Sequence, residues 1–111
     1  MSRRRQHAVV WTEVALGDVE RLAAYLVDEA PARAEGILER IIERGESLAV
    51  SPGRGRTPPE LRSINDRTWR EVLERPWRIL YRVAETTVEI HGVLDGRRSL
   101  EDILMERLLR G

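Results

Sequence analysis

Four side chains toward the C-terminal end of the 111-residue sequence are of types that move protons or carry phosphate charge: Arg78, Arg82, Glu89 and His91. A carboxylate or an imidazole can take the proton of a hydroxyl, and guanidinium groups stabilise the charge that builds on a phosphorane. Such a set suits cleavage of a phosphodiester through its 2′-hydroxyl. The same residues also suit ordinary surface filling, because one side of an antiparallel sheet is often wet and Arg–Glu pairs across strands are common there. The elements that carry them decide between the two.

In "WRILYRV", residues 77 to 83, Trp77, Ile79, Tyr81 and Val83 alternate with Arg78, Leu80 and Arg82, the period of a strand. In "VEIHGVL", Glu89 and His91 are out of phase with Val88 and Ile90, and Val93 takes the other parity, which predicts a bulge at Gly92. A turn at "ETT" joins the two strands. A further strand precedes them after Trp69, with its register open as to whether Arg70 or Glu71 joins the Arg78 face. Upstream, "HAVVW" reads as a first strand. From Thr12 the period becomes helical, Pro31 restarts a second helix, and two antiparallel helices result. "SPGRGRTPPEL", residues 51 to 61, is a loop; it lacks the Gly-Lys-Ser/Thr of a phosphate-cradling loop. Ser99 with Asp102 starts a last helix over 99–110, whose Leu100, Ile103, Leu104 and Leu108 recur at helical spacing.

The order β-α-α-β-β-β with a C-terminal helix is an α+β fold, a helical hairpin packed on an antiparallel sheet. The helices must cover one face, so Trp77, Ile79, Tyr81 and Val83 point inward. Arg78, Leu80, Arg82, Glu89 and His91 are then expected on an uncovered face near Arg97 and Arg98. Leu80, flanked by arginines, is the kind of residue that a partner's amphipathic segment covers. Trp69 reads as packing at the core edge or as an anchor for that partner. The helix over 99–110 either docks on its own sheet or serves as a partner-binding appendage.

Residues 1–111 make one domain on length alone. Nineteen basic residues, all of them arginine, balance nineteen acidic ones, so there is no global field to hold a polyanion and any nucleic-acid contact must be local. With no cysteine and only His7 and His91, well separated, neither a disulfide nor a metal site is expected, and no cofactor motif appears. The apolar run after the basic N-terminus is too short for a signal peptide or a membrane span, which gives the expectation of a cytoplasmic protein without a membrane partner.

Several segments together resemble the RelE/ParE superfamily of toxins from bacterial type II toxin–antitoxin pairs. These are Ala15 and Asp18 after the first strand, the Pro31 to Ala34 corner, the loop from Pro52 through Leu61, the strand from Trp77 to Arg82, and the end Gly96-Arg97-Arg98. The resemblance spans most of residues 8 to 100. It implies a cognate antitoxin that covers the open sheet face and the helical hairpin, with Trp69, Arg78, Leu80 and Arg82 as its contacts in a toxin–antitoxin hetero-oligomer.

The superfamily divides by target. RelE-like members cleave mRNA on the ribosome with basic residues and often a C-terminal tyrosine or histidine; ParE-like members inhibit DNA gyrase and are not known as nucleases. The helix and loop segments look more like ParE, no lysine is present, and no tyrosine or histidine follows Arg98. The ParE reading assigns target contact to Arg97, Arg98, Leu104 and Leu108 and needs no catalysis. The alternative is a ribosome-dependent nuclease using Arg78, Arg82 and His91. A degenerate, non-toxic binding module is the third reading.

Overall fold

The computed structural model describes residues 6–97. Four strands, β1 (Ala8–Trp11), β2 (Trp69–Glu74), β3 (Trp77–Ala84) and β4 (Thr87–Asp95), form one sheet in the order β1-β4-β3-β2. β2, β3 and β4 are the expected antiparallel meander. β1 lies parallel to β4, from Ala8 opposite Thr87 to Trp11 opposite Ile90.

Two helices, α1 (Glu13–Glu29) and α2 (Pro31–Glu46), follow β1. Thr12 starts α1 twice over: its side chain accepts from the Ala15 N–H at 3.2 Å, and its own N–H donates to the Ile90 carbonyl at 3.0 Å. Helix and sheet are thereby joined at one residue. Ala30 alone makes the corner, and Pro31 opens α2 where its missing N–H costs nothing. Ala15, Leu26, Ala34, Ile37 and Ile41 from the helices pack with Ile79, Tyr81, Val88, Ile90 and Val93. Burial of each large side chain contributes about 1.5–3 kcal/mol, so this layer dominates the fold. Trp11 is part of it. Its ring lies so close to Gly45 that a Cβ there would sit 2.6 Å away, and its indole N–H donates to Glu46 at 3.0 Å.

After a 3₁₀ turn at Ser47–Ala49 the chain crosses to the other side of the sheet and forms a short helix, α3 (Pro59–Arg62). Leu61 from α3, Leu80 from β3 and Leu94 from β4 are buried together, with Trp69 packed against them. The expectation of a bare second face does not hold: α3 covers part of it. Val83 departs from expectation the other way. β2 begins at Trp69, opposite Arg82, so Val83 has no neighbour on that side and is 41% exposed.

The Pro/Gly loop is bound to the sheet. Arg56 and Glu71 exchange backbone hydrogen bonds of 2.9 and 2.8 Å at the β2 edge. The Tyr81 hydroxyl donates to the Pro52 carbonyl at 2.8 Å and accepts from the Gly55 N–H at 2.9 Å. A Cβ at Gly55 would collide with that hydroxyl, and this close approach is why glycine stands there. Burial pushes the Tyr81 hydroxyl pKa up, so it stays a neutral donor.

Candidate functional site

The bulge decides where the histidine sits. Leu80 pairs with Gly92 and Tyr81 with Ile90, leaving His91 as the extra residue of β4, next to the glycine where the bulge was expected. Asp18 of α1 reaches this irregularity and accepts from the Val93 N–H at 2.9 Å, while also pairing with Arg21 at 2.8 Å.

Around His91 lies an accessible cluster drawn from three strands. Arg82 Nε donates to Glu89 Oε1 at 2.6 Å, and His91 Nε2 lies 3.1 Å from the same oxygen. Trp69 meets the His91 ring edge to face, with centroids 5.0 Å apart, and the Arg82 guanidinium stands 5.9 Å from the Trp69 ring centroid. The Arg82 hydrogen bond, and after it that of His91, hold the Glu89 carboxyl below its ordinary pKa. Glu89 is therefore anionic at neutral pH and shared by its two neighbours.

Arg78 is not in this cluster. It is 7% exposed, its Nε donates to Glu71 at 2.6 Å, and its two Nη atoms grip Glu60 at 2.8 and 2.7 Å. Glu71, itself 1% exposed, also accepts from Arg56 Nε at 2.9 Å. Glu60 first, and Glu71 with it, raise the Arg78 pKa against the cost of desolvation. The β2 register answers the open question, placing Glu71 and not Arg70 on the Arg78 face.

Two placements are thus corrected. Arg78 and Leu80, expected in the open, are both buried under α3 by the chain's own Glu60 and Leu61. The sequence could not show this because a four-residue helix leaves no periodic signal. Arg82, His91 and Trp69 are brought together with Glu89. Arg97 is exposed and bound to Asp95 through Nε at 3.0 Å and Nη2 at 2.8 Å. Arg98, Leu104, Leu108 and the helix expected over 99–110 lie outside the described residues. Among the described residues no group of three acidic, His or Cys side chains could hold a metal ion, and no helix is long and apolar enough to cross a membrane.

A family model described as the ParE toxin of the type II toxin–antitoxin system parDE matches residues 9–100, well over half of the chain. The chain belongs to the ParE toxin family. Its fold is also that of two solved structures. One is a chromosomal ParDE toxin–antitoxin system from P. aeruginosa, with TM-score 0.67 and 21% identity over 82% of this chain and 97% of that one. The other is the RelBE2 toxin–antitoxin complex from Mycobacterium tuberculosis, with TM-score 0.59 and 23% identity over 86% of this chain and 97% of that one. No curated protein matches in sequence.

The ParE family match runs from the second residue of β1 through β4, and the segments that carried the resemblance have structural work within it. Ala15 is fully buried under the sheet, Asp18 holds the bulge, and Pro52 and Gly55 receive the Tyr81 hydroxyl. Glu60 and Glu71, the carboxylates that withdraw Arg78, were missed by sequence reasoning. The available signal was a lone glutamate inside "PPEL" and another in "WREV", each in a loop or strand where a solvated charge was the simpler reading.

Proposed function

We propose that this ParE-family toxin arrests growth by binding DNA gyrase in the cytoplasm and is neutralised by a cognate antitoxin in a hetero-oligomer. The observation that carries the non-catalytic reading is the burial of Arg78 between Glu60 and Glu71. Of the two strand arginines, Arg78 is thus withdrawn from a phosphorane, and Arg82 already faces Glu89 at 2.6 Å. A surface whose charges are matched internally suits a protein contact better than phosphoryl chemistry. Trp69 and Arg82 are the antitoxin contacts left accessible there, and Arg97 with the segment after it is assigned to gyrase.

A second reading keeps one specific observation: at the bulge His91 lies 3.1 Å from Glu89 on the sheet face. On that reading the protein is a ribosome-dependent mRNA nuclease. A gyrase supercoiling assay beside mRNA cleavage on translating ribosomes separates the two. Inhibited supercoiling with intact mRNA is the expected result; cleaved mRNA with active gyrase overturns it, and neither effect identifies a degenerate module.

A further inference from the structure

The helical corner and the β2–β3 turn enclose a groove of about 490 Å³, which shares only Arg97 with the contacts proposed above. Its floor is apolar, formed by the buried Leu26 and Ile37 and the half-buried Trp77. Its walls carry four arginines, Arg33, Arg40, Arg75 and Arg97, against two carboxylates, Glu29 and Glu74. Arg40 and Arg44 both turn toward Glu74, at 3.7 and 3.1 Å, and Arg97 is bound to Asp95. Arg33 and Arg75 make no ion pair with another described residue.

The start of α2 deepens the imbalance. Its cap is Ala30, which has no side-chain acceptor, and its first turn holds Arg33 and no acidic residue. The positive end of a helix dipole ordinarily attracts carboxylates and repels cations. Here a 16-residue helix presents both its dipole and an arginine to a groove that is short of negative charge.

We propose that this groove docks an acidic segment of a partner protein that carries apolar side chains. Leucine-like side chains fill the floor over Leu26, Ile37 and Trp77, and flanking carboxylates meet Arg33 and Arg75. The apolar floor selects a polypeptide over a nucleic-acid backbone, which would bring phosphates and no aliphatic surface. A segment seated here also covers Arg97. Naming the partner as the antitoxin rests on the toxin reading above; the groove and the chemistry it accepts do not.

The test is fluorescence anisotropy on the full chain with a short fluorescein-labelled peptide of leucines and glutamates. The same peptide with lysines for glutamates, a duplex DNA and a single-stranded RNA oligonucleotide are run beside it. The acidic peptide is expected to bind, to weaken with salt, and to lose affinity about tenfold or more in Arg33→Glu/Arg75→Glu, as like charges at a contact require. Arg67→Glu, at an exposed site outside the groove, should bind as the parent does. Both groove positions are exposed, and circular dichroism checks the fold; Arg33→Gln/Arg75→Gln gives a milder version of the same loss. Equal binding of the lysine peptide, no binding of the acidic one, no loss in either groove variant, or tighter binding of DNA or RNA would each overturn the proposal. Because the assay contains neither gyrase nor ribosomes, failure of the toxin reading shows in the supercoiling assay and not here.

Discussion

At the scale of single residues, Arg78 and Arg82 stand two β periods apart on one strand and have opposite fates. Arg78 lies between two carboxylates under α3, whereas Arg82 shares Glu89 with His91 in the open. Breaking a buried ion pair by removing one partner costs about 3–5 kcal/mol, so Arg78→Met should lower the urea midpoint strongly. An exposed pair contributes little, and Arg82→Glu should leave that midpoint nearly unchanged while weakening antitoxin binding in a titration. Unchanged antitoxin affinity would remove Arg82 from the interface. His91→Ala separates the two targets: a gyrase poison keeps its growth inhibition, and a nuclease loses most of it. The carboxyl of Glu89 titrates below its usual range because its charged form is favoured in the fold, so its small contribution is present above the ordinary pKa and lost as pH falls through the lowered one. Carboxyl chemical shifts in Arg82→Gln should show that midpoint moving back up.

The elements were legible in proportion to how long and how periodic they are. α1, α2 and β3 announce themselves by spacing, and the bulge follows from the parity change between Ile90 and Val93. α3 does not, because four residues between prolines and polar residues carry no period, and with it went the cover over Leu80 and the partners of Arg78. The candidate site was legible to the same extent: Arg82, Glu89 and His91 come from regular strands and were placed together, while Glu60 and Glu71 depended on α3 and on the β2 register. What holds the loop is one hydroxyl. Tyr81→Phe leaves the Gly55 N–H and the Pro52 carbonyl without their partner, and a buried unsatisfied group costs about 1–3 kcal/mol. Denaturation should show a loss of that size, and amide exchange at Gly55 should quicken with little change at Ile79. Equal acceleration at both sites would mean that the loop and the main core open together.

For the whole molecule, the proposed contacts fall on different parts of the surface. The described residues supply a fold whose main core lies between the helical hairpin and one sheet face, with α3 closing part of the other. On the gyrase reading, target contact falls on Arg97 and the segment that follows, at the edge of a frame already held together by β4 and the helices. Deleting residues 99–111 should therefore abolish growth inhibition and gyrase inhibition, with circular dichroism checking that the remaining domain is folded. Antitoxin binding through Trp69 and Arg82 should survive the same deletion, because those residues lie on the sheet face. Retained toxicity would move the target contact back onto the sheet and favour the Arg82, Glu89 and His91 cluster. Loss of toxicity together with loss of antitoxin binding would show instead that one surface serves both partners, and the groove beside Arg97 would then be the place to look for it.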